Sequence, residues 1–180
     1  MRWMSSTQRY GTVARTMHWV TALAIFALLG SGLAADQASG HPAAAGILRF
    51  HVLTGIGVLV LTVLRILWWA VFDHKPPASA GTPRWQARAA RAVHMAFYLV
   101  IVGLGASGVA TIALSGAGTI LFGGQAGPLP EFEAFAPRAP HGLAAWLMIG
   151  LVALHVGAAL YHQFVLGDRL LARMGIGRSA

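Results

Sequence analysis

Four long apolar blocks alternate with polar segments along this 180-residue chain. They cover about 17–34, 47–72, 92–114 and 141–166, each 18 residues or longer. A helix of ~20 residues rises about 30 Å, the depth of a bilayer's hydrocarbon core. The pattern predicts an all-α protein: a four-helix transmembrane bundle, up-and-down, forming one integral membrane domain over 1–180. The first block has the hydropathy of a secretory signal. However, Arg2, Arg9 and Arg15 precede it over a long polar lead, and Ala34-Ala35-Asp36 is a poor cleavage site. It reads as a retained helix.

Composition sharpens this reading. The chain is 57% hydrophobic and 10% charged, which excludes most soluble domains. It has no cysteine, which excludes iron–sulfur clusters on this chain, covalent haem attachment through C-x-x-C-H, and disulfides. The net charge of +8 would suit a nucleic-acid partner if it lay on one soluble face. Instead the cations sit beside helix ends. Arg2, Arg9 and Arg15 precede the first helix. Lys75, Arg84, Arg88 and Arg91 lie between the second and third. Arg169, Arg173 and Arg178 follow the fourth. The other two connections carry only Arg49 and Arg138 near their ends, with Asp36, Glu131 and Glu133. The positive-inside rule then makes both termini and the second connection cytoplasmic; the other two connections face the periplasm if the membrane is a bacterial inner membrane, and the partner is lipid, with no nucleic acid. The third connection, 115–140, is rich in glycine and proline and reads either as a lid or partner surface or as a loose connector.

Six of the eight histidines fall within or at the lip of the apolar blocks: His18, His51, His94, His141, His155 and His162. A polar ring in hydrocarbon is costly and needs a partner. His18 and His94 enter about one turn from the cytoplasmic side, and His51 and His141 lie near the outer surface. On the fourth helix His141, His155 and His162 are spaced by 14 and 7 residues. At ~100° per residue they share one stripe, and His155 lies roughly 21 Å below His141. Arg65 repeats the 14-residue interval after His51. It is too deep for easy snorkelling, and a buried anion such as a haem propionate would account for it.

These depths suggest two cross-helix pairs, His51 with His141 and His18 with His155. Depth alone leaves His94 and His162 open as inner ligands. Otherwise those two suit a quinone or proton-transfer role, or simple interfacial packing. His41 and His74 read as solvated loop residues, and Trp19, Trp68, Trp69 and Trp85 as an interfacial belt. No carboxylate lies within the apolar blocks, so imidazoles paired across helices favour haem iron over a transported metal.

RYGTVARTMHWV, FHVLTGIGVLVLTVLRILWW, HMAFYLVIVGLGASG and HGLAAWLMIGLVALHVGAALYHQFVLGDRLLARM occur in this order. As a set they resemble the bacterial cytochrome b-561 family of four-helix, di-haem b membrane proteins, which includes superoxide oxidase. The resemblance covers most of the chain except 115–140. It implies two haem b groups per chain, with His18, His51, His141 and His155 at the axial-ligand positions and ubiquinone as electron acceptor. For a superoxide oxidase it further implies superoxide as donor on the outer side, where Arg49 and Arg138 would steer an anion. The rival readings are an anchor subunit linking a periplasmic dehydrogenase or hydrogenase to quinone, and a histidine-lined ion or metal transporter.

Overall fold

The computed structural model describes residues 3–78, 81–168 and 170–177. Three of the flanking arginines, Arg2, Arg169 and Arg178, lie outside these residues. Among the described residues there are helices and no strands. The long helices are α1 (Thr12–Gln37), α2 (Ala44–Leu67), α3 (Arg84–Ser115) and α5 (Arg138–Phe164). Two short helices are α4 (Ala117–Leu121) and α6 (Leu170–Arg173). All four long helices are long and apolar enough to cross a membrane.

Each long helix begins before its apolar block, because polar residues at a membrane interface lose nothing by staying helical. α1 also runs past its block to take in Asp36, and α3 starts at Arg84, just after Pro83. α5 starts at Arg138 and carries Pro140 in its first turn rather than ahead of it. Proline is tolerated there, since first-turn N–H groups have no helical acceptor anyway. α2 ends in a π-helical turn, Trp68–Phe72, closed by the Asp73 N–H donating to the Trp68 carbonyl at 3.0 Å. α3 ends at Gly116, whose φ of 69° only glycine adopts without strain.

α1 packs on α2, α2 on α3 and α3 on α5, while no comparably close packing joins α1 to α5 among the described residues. A side chain at Gly105 would overlap Leu59, so glycine permits the close approach of α3 to α2. The buried core is a small mid-depth cluster of Ile25, Val58, Val100, Ile101 and Met148. Large apolar side chains point outward instead. Leu143 is 75% and Phe164 76% exposed, as expected where lipid is the solvent.

Both ends of the bundle are tied down. At one end α4 buries Ala117 and Leu121, and the Arg49 Nε–H donates to the Leu121 carbonyl at 2.6 Å. The first part of the 115–140 connection is thus docked against the helices rather than loose. At the other end the N-terminal lead, the segment after α2 and the tail form a cap. The Ser5 N–H and hydroxyl, the Trp68 indole and the His74 N–H all donate to the buried Asp73 carboxylate. Arg173 donates to the Gln8 and Pro77 carbonyls at 3.1 and 2.7 Å. The Trp19 indole donates to the Met174 carbonyl at 3.0 Å.

Candidate functional site

The polar side chains within the bundle form two layers with the apolar cluster between them. Ile25, Val58 and Met148 each follow a histidine by seven residues: His18, His51 and His141. Seven residues rise about 10 Å along the same helix face. The cluster therefore separates the layers, and the nearby buried Thr62 hydroxyl is engaged by the Val58 carbonyl at 2.7 Å.

At the α4 end, His51 of α2 and His141 of α5 face each other with ring centres 6.2 Å apart. Hydrogen-bond accounting fixes their tautomers. Ser107 Oγ donates its one proton backward to the Gly103 carbonyl at 2.7 Å. The His141 Nδ1, 3.1 Å from that oxygen and 3.1 Å from the Leu104 carbonyl, meets only acceptors, so Nδ1 carries the hydrogen. Ser31 Oγ likewise donates to the Leu28 carbonyl at 3.2 Å and accepts from His51 Nδ1 at 3.0 Å. Both rings are left with a bare Nε2, the state a metal ligand requires.

At the cap end, His18 of α1 and His155 of α5 also have ring centres 6.2 Å apart. His94 of α3 stands 5.5 Å from His155, as does Phe97. The His94 Nδ1 bonds the Ala90 carbonyl at 2.7 Å. Arg65 lies within electrostatic reach of His18, His94, His155 and Lys75. Burial, and behind it the Arg65 guanidinium, push the Lys75 pKa down. Arg65 Nε is buried with no hydrogen-bond partner. Two cations, Arg65 and Lys75, thus come together here, and one guanidinium nitrogen lacks an acceptor, a costly arrangement unless an anion belongs between them.

His162 leaves the stripe's neighbours and pairs with Asp168 beyond the end of α5, Nδ1 to Oδ2 at 2.5 Å. Arg138 lies between two carboxylates, 3.3 Å from Asp36 and 3.5 Å from Glu133. Its charge is therefore offset, and Arg49 remains the less compensated cation at this end. His41 and His74 are exposed.

The arrangement fits a metal-centred flat ring at each layer. Two imidazoles on opposite faces of one metal, with bonds of about 2.0–2.1 Å, place their ring centres about 6 Å apart. At the cap end α1 and α5 keep their backbones apart while their imidazoles reach toward one another. No cluster of three or more His, Cys, Asp or Glu side chains able to hold a bare metal ion occurs among the described residues.

Sequence reasoning passed over Ser31, Ser107 and the cap. A signal for the serines was present. Leu28-Leu29-Gly30-Ser31-Gly32 and Leu104-Gly105-Ala106-Ser107-Gly108 are near repeats, and each serine follows a histidine, His18 or His94, by 13 residues. The same register sets Arg65, 14 residues after His51, opposite His155, 14 after His141. The bundle is a tandem pair of two-helix units whose cap-end layers differ by one substitution, arginine for histidine.

Comparison with known proteins identifies the family. A family model described as prokaryotic cytochrome b561 matches residues 9–177. Cytochrome b561 homolog 2 of Escherichia coli (strain K12) is 29% identical over 189 residues, covering 100% of this chain and 97% of that protein. Cytochrome b562 of Cereibacter sphaeroides is 32% identical over 95% of this chain and 98% of its own length. A probable superoxide oxidase of Yersinia pestis is 32% identical over 69% of this chain and 72% of that protein. The chain belongs to the prokaryotic cytochrome b561 family, multi-pass bacterial membrane proteins that transfer electrons and whose name implies haem b.

Proposed function

We propose that the protein holds two b haems, one between His51 and His141 and one between His18 and His155, and carries electrons across the inner membrane from superoxide to ubiquinone. The observation that carries this reading is the equal 6.2 Å separation of two imidazole pairs at opposite ends of one bundle. Haem, when bound, supplies the one-electron redox step. The chain's residues do the rest. The imidazoles would orient the groups, the Ile25–Met148 cluster separates them, and Arg65 would hold an anionic substituent of the inner group. The cap end is cytoplasmic, following the arginines around it.

Two superoxide anions each give up one electron and leave as dioxygen. One ubiquinone takes both electrons and two protons to become ubiquinol. The protons enter on the cap side, where His94 and the His162–Asp168 pair stand near the membrane boundary. Histidine exchanges protons near neutral pH. On the outer side Arg49 attracts the anion, and Arg138 contributes less because Asp36 and Glu133 offset it. The superoxide donor is supported by the relative from Yersinia pestis, whose printed name is probable superoxide oxidase.

The test is direct reduction of purified, haem-replete protein by superoxide, followed by reoxidation with ubiquinone. Reduction should slow as salt rises, because attraction to exposed cations is screened. Protein that superoxide fails to reduce at any ionic strength would point instead to a subunit that takes its electrons from a docked dehydrogenase or hydrogenase.

A further inference from the structure

The two-helix repeat places the same three-part support behind each histidine of the α4-end pair. Behind His141 stand the Leu104 carbonyl and Ser107 Oγ, both 3.1 Å from Nδ1. Behind His51 stands Ser31 Oγ at 3.0 Å, and the Leu28 carbonyl is its backbone partner. A glycine follows each serine. A Cβ built on Gly32 or on Gly108 would lie 3.3 Å from Cε1 of the adjacent imidazole. That contact is tight enough to make the ring give way. The carbonyl and the hydroxyl fix which nitrogen bears the hydrogen, and the bare glycine fixes how close the ring lies to its supporting helix.

We propose that Ser31 and Ser107, each with its following glycine, are matched positioning residues for the outer haem, setting the planes and donor strength of its two imidazoles. The proposal rests on the reading of His51 and His141 as haem ligands. An Nδ1–H shared between two acceptors makes the imidazole a stronger donor through Nε2, which favours the oxidised metal. The serines hold the outer potential down, one from each side. Among the described residues, no serine hydrogen-bonds His18 or His155 of the cap-end pair as Ser31 and Ser107 bond His51 and His141. The two layers therefore differ in tuning although their ring separations agree.

The experiment is potentiometric titration of the holoprotein with Ser31→Ala, Ser107→Ala and the double variant, with low-spin EPR spectra and haem content. Each single variant should raise the midpoint potential of one haem, the same haem in both cases. The double variant should raise it further and leave the other haem unchanged. Ser31→Thr and Ser107→Thr, which keep the hydroxyl, should restore the lower potential. Gly32→Ala and Gly108→Ala should shift the largest g value of that same haem by turning its imidazole. Two haems per chain with potentials and g values unmoved in the double serine variant would overturn the inference alone. Unaltered protein in which the His51–His141 position carries no haem would overturn the ligand reading, and the inference with it.

Discussion

His18 and His155 stand with ring centres 6.2 Å apart although their helices, α1 and α5, do not pack closely on each other. The side chains reach toward each other where the two backbones stay apart. The same separation recurs between His51 and His141, at the other end of the bundle. The pairs are independent because the Ile25–Met148 cluster lies between them. His141→Ala should remove one haem and leave the spectrum of the other intact, and His155→Ala should do the reverse. If His155→Ala left both haems in place while a His162→Ala variant lost one, the inner ligand would lie one helical stretch further along α5.

Arg65 supplies the second expectation. Its Nε is buried and unpartnered amid His18, His94, His155 and Lys75. A fixed positive charge favours the more negative, reduced form of a nearby centre. Arg65→Leu should therefore lower the midpoint potential of the inner haem and leave the outer one where it is. Redox titration resolves the two. An unchanged inner potential would reduce Arg65 to a residue that packs its stem and sends its head toward the cap.

The apolar cluster gives a third. Met148 is 2% exposed at the centre of the bundle. Met148→Ala should cost about 2–5 kcal/mol, the usual range for emptying such a site. It should lower the thermal unfolding temperature of the detergent-solubilised protein. Both haem spectra should persist at room temperature, since Met148 is two helical turns from either pair. Loss of a haem without loss of stability would mean that the cluster shapes a ligand site directly.

The cap gives the fourth, through pH. Burial pushes the Asp73 carboxyl up, but the hydrogen bonds from Ser5, His74 and Trp68 more than offset it and hold it below its ordinary value. The folded state thus binds this proton less readily than the unfolded state. Its stabilisation is fully present above about pH 4 and fades as pH falls through the depressed value. Acidification should loosen the N-terminal lead before the helices melt, seen as faster proteolysis around residues 3–11. Asp73→Asn should remove this acid sensitivity; a wild-type protease profile at low pH in that variant would assign the sensitivity elsewhere.

Much of this architecture is legible in the sequence because a membrane imposes a coarse code. Runs of apolar residues give four spans, and the 14-residue intervals from His51 to Arg65 and from His141 to His155 give shared faces and two depths. The helix ends were less legible. Pro140 looks like a boundary, yet the first turn accepts it. The cap was hidden for a different reason. Ser5 to Asp73 and Trp19 to Met174 join residues 68 and 155 apart, and no local periodicity records such contacts. The docked α4 lies in a stretch whose glycine and proline content argues against any helix, and the burial of Ala117 and Leu121 together with the bond from Arg49 hold it. Ser31 and Ser107 escaped notice because serine in a membrane helix usually bonds its own backbone. These two do that as well, and their spare lone pairs serve the histidines.

The most direct test of the whole account is the haem content of the purified, unaltered protein, measured as pyridine haemochrome against polypeptide mass. Two imidazole pairs of equal separation, insulated from each other by an apolar layer, call for close to two b haems per chain. A ratio near one would contradict the account, because one pair would then be a packed couple of histidines and no path for electrons would cross the bilayer.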